Sequence, residues 1–296
     1  GSQLSESLDA LEASIKAGKL TPADKTALKL EIGRIPEVLL DNTDRNRTSP
    51  FAFTGNKFEL RAAGSTANCA VPMTVLNTIV AEQLNLFKAA VDARIKGGDK
   101  KDDALLKELQ VLIKEHKAIR FEGNGYGDEW VKEAKKRGLS NLRDTPTALE
   151  VWGRKEVATL FSSLGVLTTE ELHARQEVEY ENYIMKRQIE ARIAGDMATN
   201  IVLPSAIAYQ NMLIENISGL TDIFGKDAKA MTEGQREVLG KVSESVSALH
   251  KATSKLRTER GKINKIDDIA DRAVKYGSVV TPLIEVVGEH CATLER

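Results

Sequence analysis

Thr168-Thr169-Glu170-Glu171 opens a helical pattern that continues, with few interruptions, to about Ser218. A stretch that long must bury a stripe against other helices, so it commits this part of the chain to a helical bundle. Thr168 and Glu171 have the spacing of a capping box, which fixes the start. Pro204 should kink the run, because it lacks a backbone donor and its ring clashes one turn back. A second long helix is expected from about Thr232 to Arg260, and a last group fills Ile266 to Leu294.

The preceding chain reads as shorter pieces. Leu4, Leu8, Leu11 and Ile15 have helical spacing, and Gly18 stops that pattern. Thr21-Pro22 opens a second helix through about Ile32. Further helices are expected from Pro72 to about Ile95, from Asp102 to Ile119, from Asp128 to Gly138, and from a Thr145-Pro146 cap toward Gly165. Glu122-Gly123-Asn124-Gly125-Tyr126-Gly127 must be a loop. It lacks the order of a dinucleotide fingerprint or a P-loop, and it reads best as a flexible linker. The convincing β signal is Phe51 to Thr54 and Lys57 to Arg61 around Gly55-Asn56, a tight hairpin. The fold class is therefore mainly α, a long antiparallel bundle with one β-hairpin.

Composition limits the function. The chain has 296 residues, 29% of them charged, with 42 Lys plus Arg against 43 Asp plus Glu. That balance offers no global field for nucleic acid or an anionic membrane. The apolar stretch from Val71 to Val80 is broken by Thr74, Asn77 and Thr78, so no membrane span is expected. Two distant cysteines, Cys69 and Cys291, make neither a disulfide framework nor a zinc motif, and a reduced, cytoplasmic setting fits. His116, His173, His250 and His290 have no partner at metal-ligand spacing. Lys132, Lys135, Lys136 and Arg137 share a helix with Glu129 and Glu133, which reads as a solvated face.

In the second strand Lys57, Glu59 and Arg61 point one way, while Phe58 and Leu60 point the other, into packing. From the pattern alone, the charged face is an exposed strand whose charges pair weakly. Arg45 and Arg47 lie one short strand upstream, where a hairpin could return them toward the same face. Cations around one carboxylate suit a site that handles phosphate and a divalent metal.

The stretch Asn46-Arg47-Thr48-Ser49-Pro50-Phe51-Ala52-Phe53-Thr54-Gly55-Asn56-Lys57-Phe58-Glu59-Leu60-Arg61 resembles the signature of type III glutamine synthetases. Gly64-Ser65 and Asn68-Cys69-Ala70 also match that family. More generally, glutamine synthetases carry an Asn-Arg pair, a loop, and a strand reading basic–apolar–Glu–apolar–Arg, which Lys57 to Arg61 fits position by position. Arg120 to Trp130, and Gly165 to Arg175, are similar to the family's C-terminal extension. One departure is that the commoner bacterial enzymes place a further arginine where this chain has Ala52 or its neighbours.

The resemblance implies a division at the glycine-rich loop. Residues 1–120 would be the C-terminal portion of the catalytic domain, its hairpin belonging to an incomplete barrel, and 121–296 a helical extension. It implies a glutamate–ammonia ligase using ATP and Mg²⁺ or Mn²⁺, with γ-glutamyl phosphate as intermediate. Glu59 would be a metal ligand, Arg61 and Arg47 would hold the reacting carboxylate and phosphate, and Lys57 would lie near ATP. Arg45 flanks the site. The family's upstream half supplies most metal-binding carboxylates, so the chain alone is expected to be inactive. Its expected partners are that upstream half and other subunits of a ring oligomer. The alternative is a non-catalytic helical assembly module for such a ring.

Overall fold

A computed structural model of the chain describes residues 8–9, 51–53, 57–61, 67–121 and 124–295. The expected helices before Gly18 and after Thr21 lie outside these, apart from Leu8 and Asp9. The described chain is mostly helical and forms two compact units, Gly1–Asn141 and Leu142–Arg296.

In the first unit, strands β1 (Phe51–Phe53) and β2 (Phe58–Leu60) pair antiparallel, with Phe51 opposite Leu60, Ala52 opposite Glu59 and Phe53 opposite Phe58. That register is centred on Gly55-Asn56, as a tight connection there requires. Helix α1 (Ala70–Lys96) ends at Gly97-Gly98, where Gly98 takes φ 101°, a conformation open to glycine. Helix α2 (Lys101–Glu115) folds back on it and tightens into a 3₁₀ turn, His116–Ile119. Arg94 of α1 donates to Glu108 of α2 at 2.7 Å, and Glu108 is buried, so this pair fixes the two helices at one level. Helix α3 (Asp128–Lys136) starts after Gly127, so Asp128 is its first helical residue, where its charge favours the helix N-terminus, and not its cap.

The second unit opens with a short helix α4 (Thr145–Leu149). Its cap is Asp144, not Thr145. The Asp144 carboxylate accepts from both the Thr147 amide at 2.9 Å and the Thr147 hydroxyl at 2.7 Å. The single helix expected toward Gly165 is broken by a 3₁₀ turn, Glu150–Gly153, before α5 (Lys155–Ser163). A Cβ on Gly153 would lie 3.1 Å from the Gln176 amide, and Gln176 itself donates to the Leu149 carbonyl. The long helix thus packs closely against the break.

That long helix, α6 (Thr169–Met197), begins with the expected capping box, Glu171 N to Thr168 Oγ1 at 3.2 Å and Thr168 N to Glu171 Oε2 at 2.9 Å. The irregularity expected at Pro204 takes the form of a π turn, Ala198–Val202, just before α7 (Leu203–Phe224). Proline leaves a carbonyl of the preceding turn without its donor, and the wider turn accommodates the ring. Ser205 Oγ donates to the Ile201 carbonyl at 2.8 Å, one turn back.

A short α8 (Ala228–Met231) leads to α9 (Glu233–Ile263), which packs along α7. Helix α10 (Ile269–Lys275) and α11 (Thr281–Glu295) are joined by a second π turn, Tyr276–Val280. Pro282 stands two residues past this turn, as Pro204 does past the first. Thr281 Oγ1 donates to the Tyr276 carbonyl at 3.2 Å. Packing is tight at Gly277, where a Cβ would lie 3.2 Å from the Tyr183 hydroxyl and 3.5 Å from the Pro146 ring.

The core of this unit is one seam: Tyr180, Ile184 and Ala191 of α6, Leu249, Leu256 and Ile263 of α9, Tyr276, and Leu283 and Val287 of α11. Tyr276 is fully buried, and its hydroxyl donates to Asn264 Oδ1 at 2.5 Å. Burial raises its pKa above the ordinary tyrosine value. Its neutral form thus supports the fold below that ordinary value, and the support is lost as pH rises through the raised folded pKa. Tyr276→Phe should cost about 1 kcal/mol at neutral pH and flatten the alkaline decline of stability, as read by denaturant melts across pH.

Candidate functional site

The period-two alternation of β2 puts Lys57, Glu59 and Arg61 on one face. The structure brings the three together. Lys57 Nζ lies 3.3 Å from Glu59 Oε1, and Arg61 Nη2 donates to Glu59 Oε2 at 2.9 Å. Each carboxylate oxygen thus has its own cation. Arg61 is the most covered of the three, and its other terminal nitrogen, Nη1, is buried with no hydrogen-bond partner among the described residues. An unsatisfied guanidinium nitrogen beside a fixed carboxylate is suited to an anionic oxygen. Arg45 and Arg47 lie outside the described residues.

The opposite face departs from expectation. Phe58 is 59% exposed and Leu60 45%, whereas the Arg61 side chain is 22% exposed. The hairpin shows its apolar side to solvent, while on its ionic side cover grows from Lys57, whose side chain is 64% exposed, through Glu59 at 34%, to Arg61. Alternation fixes which residues share a face, but the covering of each face depends on what else packs there.

As for metal, no group of three or more His, Cys, Asp or Glu that could hold an ion occurs among the described residues. Glu59 is a single carboxylate whose two oxygens are engaged by cations, so a metal would have to displace one of them. The described residues therefore do not make a metal site by themselves. An open cavity of about 560 Å³ lies elsewhere, lined by Lys226, Asp227, Lys229, Ala230, Glu233 and Arg236, and it holds none of these residues.

Sequence reasoning missed the role of Arg137. It pairs with Glu133 at 2.8 Å and donates to the carbonyls of Arg120 at 2.8 Å and Ala118 at 3.3 Å. Its guanidinium also lies over Phe121 and Trp130, which stack at 3.9 Å. The hydrogen bond from Arg137 holds the Glu133 carboxyl below its ordinary range. The two flanks of the glycine-rich loop are thus clasped together. A run of basic residues on a helix carries no signal of this. The expected division at residue 120 concerns function, and the packing units part later, between Asn141 and Leu142.

Because the hairpin lies at the surface and its charges are partly solvated, Glu59→Gln should change stability by less than about 1 kcal/mol, measured by denaturant melts. A larger loss would make the trio a structural element.

Comparison with known proteins bears on the whole chain. Residues 104–221 match a family described as the glutamine synthetase C-terminal domain. Over all 296 residues the chain is 43% identical to a glutamine synthetase of Bacteroides fragilis, of which it covers 41%. It is 37% identical over 231 residues, 77% of its length, to a type-3 glutamine synthetase of Dictyostelium discoideum, covering 31% of that protein. A glutamine synthetase of Butyrivibrio fibrisolvens is 35% identical over 243 residues, 81% of this chain, which covers 33% of that protein. The chain spans less than half the length of these relatives.

Proposed function

The chain carries a glutamine synthetase C-terminal domain, and from that premise we propose that it is part of a glutamate–ammonia ligase and contributes the Lys57–Glu59–Arg61 strand to the active site. The observation that supports this most is the Arg61 side chain, mostly covered although it lies beside exposed Phe58 and Leu60, with its Nη1 buried and without a hydrogen-bond partner among the described residues. A purely solvated strand would leave its arginine in water. In this reading the hairpin is a remnant of a larger catalytic barrel, residues 1–120 belong to the catalytic domain and residues 121–296 form the helical extension.

Phosphorylation of the glutamate side chain by ATP and displacement of phosphate by ammonia both pass through anionic transition states. Arg61 would donate through Nη1 to the oxygen on which that charge develops, while its Nη2 stays anchored on Glu59. Lys57 adds positive charge on the other side of the same carboxylate and serves the nucleotide phosphates. Glu59 orients both cations. It would also be one ligand of a Mg²⁺ or Mn²⁺ ion, through the oxygen that Lys57 gives up, with the remaining ligands coming from the rest of the enzyme. Arg47 acts with Arg61 on the reacting carboxylate and phosphate. When bound, the metal and ATP supply charge neutralisation and the phosphoryl group. Alone, this chain is inactive.

In an enzyme that contains this sequence and makes glutamine, Arg61→Ala should lower kcat for ATP-dependent synthesis by about a hundredfold or more with the melt unchanged. Synthesis within a few-fold of the parent would remove Arg61 from the site.

A second reading, a helical assembly module of a ring oligomer, is favoured by one observation. Met185, Ile189, Ile193, Met197 and Ile201 recur every four residues along α6 and its π turn, and all are at least half exposed. Such a row is the geometry of a helix–helix contact. Ile193→Glu should lower the mass of any oligomer seen by sedimentation velocity; a monomer before and after the change would count against this reading.

A further inference from the structure

Helix α1 is out of place on the surface. From Ala70 to Phe87 it carries one charged residue, Glu82. Along its whole length Thr78 and Val91 are the residues it buries. Val71, Ile79 and Leu86 share one side of the helix, and Met73, Val80 and Leu84 share another, about 150° away by the 3.6-residue turn. All six are exposed, Leu84 by 61% and Leu86 by 55%. A solvated helix has one apolar stripe; a helix apolar on opposite sides is an interior helix. None of the described helices is long and apolar enough to cross a membrane.

We propose that α1 is the docking helix for the part of a glutamine synthetase that this chain does not contain, which grips it from two sides. This rests on the functional reading above and adds the surface by which the partner is held. Three observations select that occupant. The relatives extend well beyond this chain, which covers between 31% and 41% of them. The C-terminal domain match begins at residue 104, so α1 lies before it and belongs with another part of the enzyme. The hairpin of the same unit likewise leaves apolar side chains uncovered, Phe58 and Leu60. A second copy meeting α1 across one two-fold contact would cover one side and leave the other wet.

The test mixes the 296-residue chain with the separately expressed remainder of the Bacteroides fragilis relative and follows complex formation by sedimentation velocity and hydrogen exchange. Amide exchange along Ala70–Lys96 should slow in the complex. Leu84→Asp and Leu86→Asp, on opposite sides, should each weaken the complex by about tenfold or more. Both should leave the chain's own circular dichroism and melt intact, because both side chains are exposed. Absence of a complex, or a complex sensitive to neither or to one of the two changes, overturns the proposal. So does self-association of the chain alone that Leu84→Asp abolishes. A complex with both sensitivities but no γ-glutamyl transfer would defeat the catalytic reading and leave the docking surface standing. Transfer restored equally by the variants and the parent chain would do the opposite.

Discussion

Burial of Tyr276 fixes the corner on which the second unit is built. The ring fills the seam between α6, α9 and α11, and the hydroxyl, which has no water to turn to, is held by Asn264 at the end of α9. Leaving that hydroxyl unbonded in the core would cost more than the bond itself gives, so α9 must end where Asn264 can reach it. The π turn that starts at Tyr276 then redirects the chain into α11. Its counterpart at Ala198–Val202 redirects α6 into α7, and Arg257 of α9 donates to Thr199 within it at 3.1 Å. Two proline-linked turns, both tied to α9, let long helices bend around one seam.

The first unit obeys a different constraint. Its helices α1 and α2 are joined at one end by Arg94 and Glu108, and the glycine-rich loop is closed by Arg137. Beyond those fastenings it leaves apolar side chains uncovered on the hairpin and on α1, while Arg61 is mostly covered. An isolated domain would bury the first set and expose the second. Both departures agree with a chain that spans less than half of its relatives.

Much of this was legible in the sequence, and the gaps have physical causes. The Thr168 to Glu171 capping box, the sharing of one strand face by Lys57, Glu59 and Arg61, and the stops at Gly98 and Gly138 follow from local rules, and the structure carries them. Pro204 announced an irregular turn, but the type of turn did not follow, because apolar periodicity does not record which carbonyl each amide reaches. Pro282 carried the same signal, and the last helical group, Ile266 to Leu294, was expected without a break assigned there. The break at Gly153 packs against Gln176, distant in sequence, and no local pattern encodes it. The exposure of Phe58 and Leu60 was illegible for the same reason: alternation sorts side chains between faces without saying what covers either one. The chemistry assigned to the site came from resemblance and not from pattern, since three alternating charges alone describe an ordinary solvated strand.

The central claim is that this chain supplies essential residues to a glutamine-forming site that it cannot complete. A γ-glutamyl-transfer assay, with ATP-dependent synthesis alongside, on the chain alone and after mixing with the separately expressed remainder of a type III enzyme tests it most directly. The account predicts no turnover from either piece and turnover from the mixture. A folded chain that binds the remainder yet gives no turnover, or a remainder that turns over equally well without it, would contradict the claim.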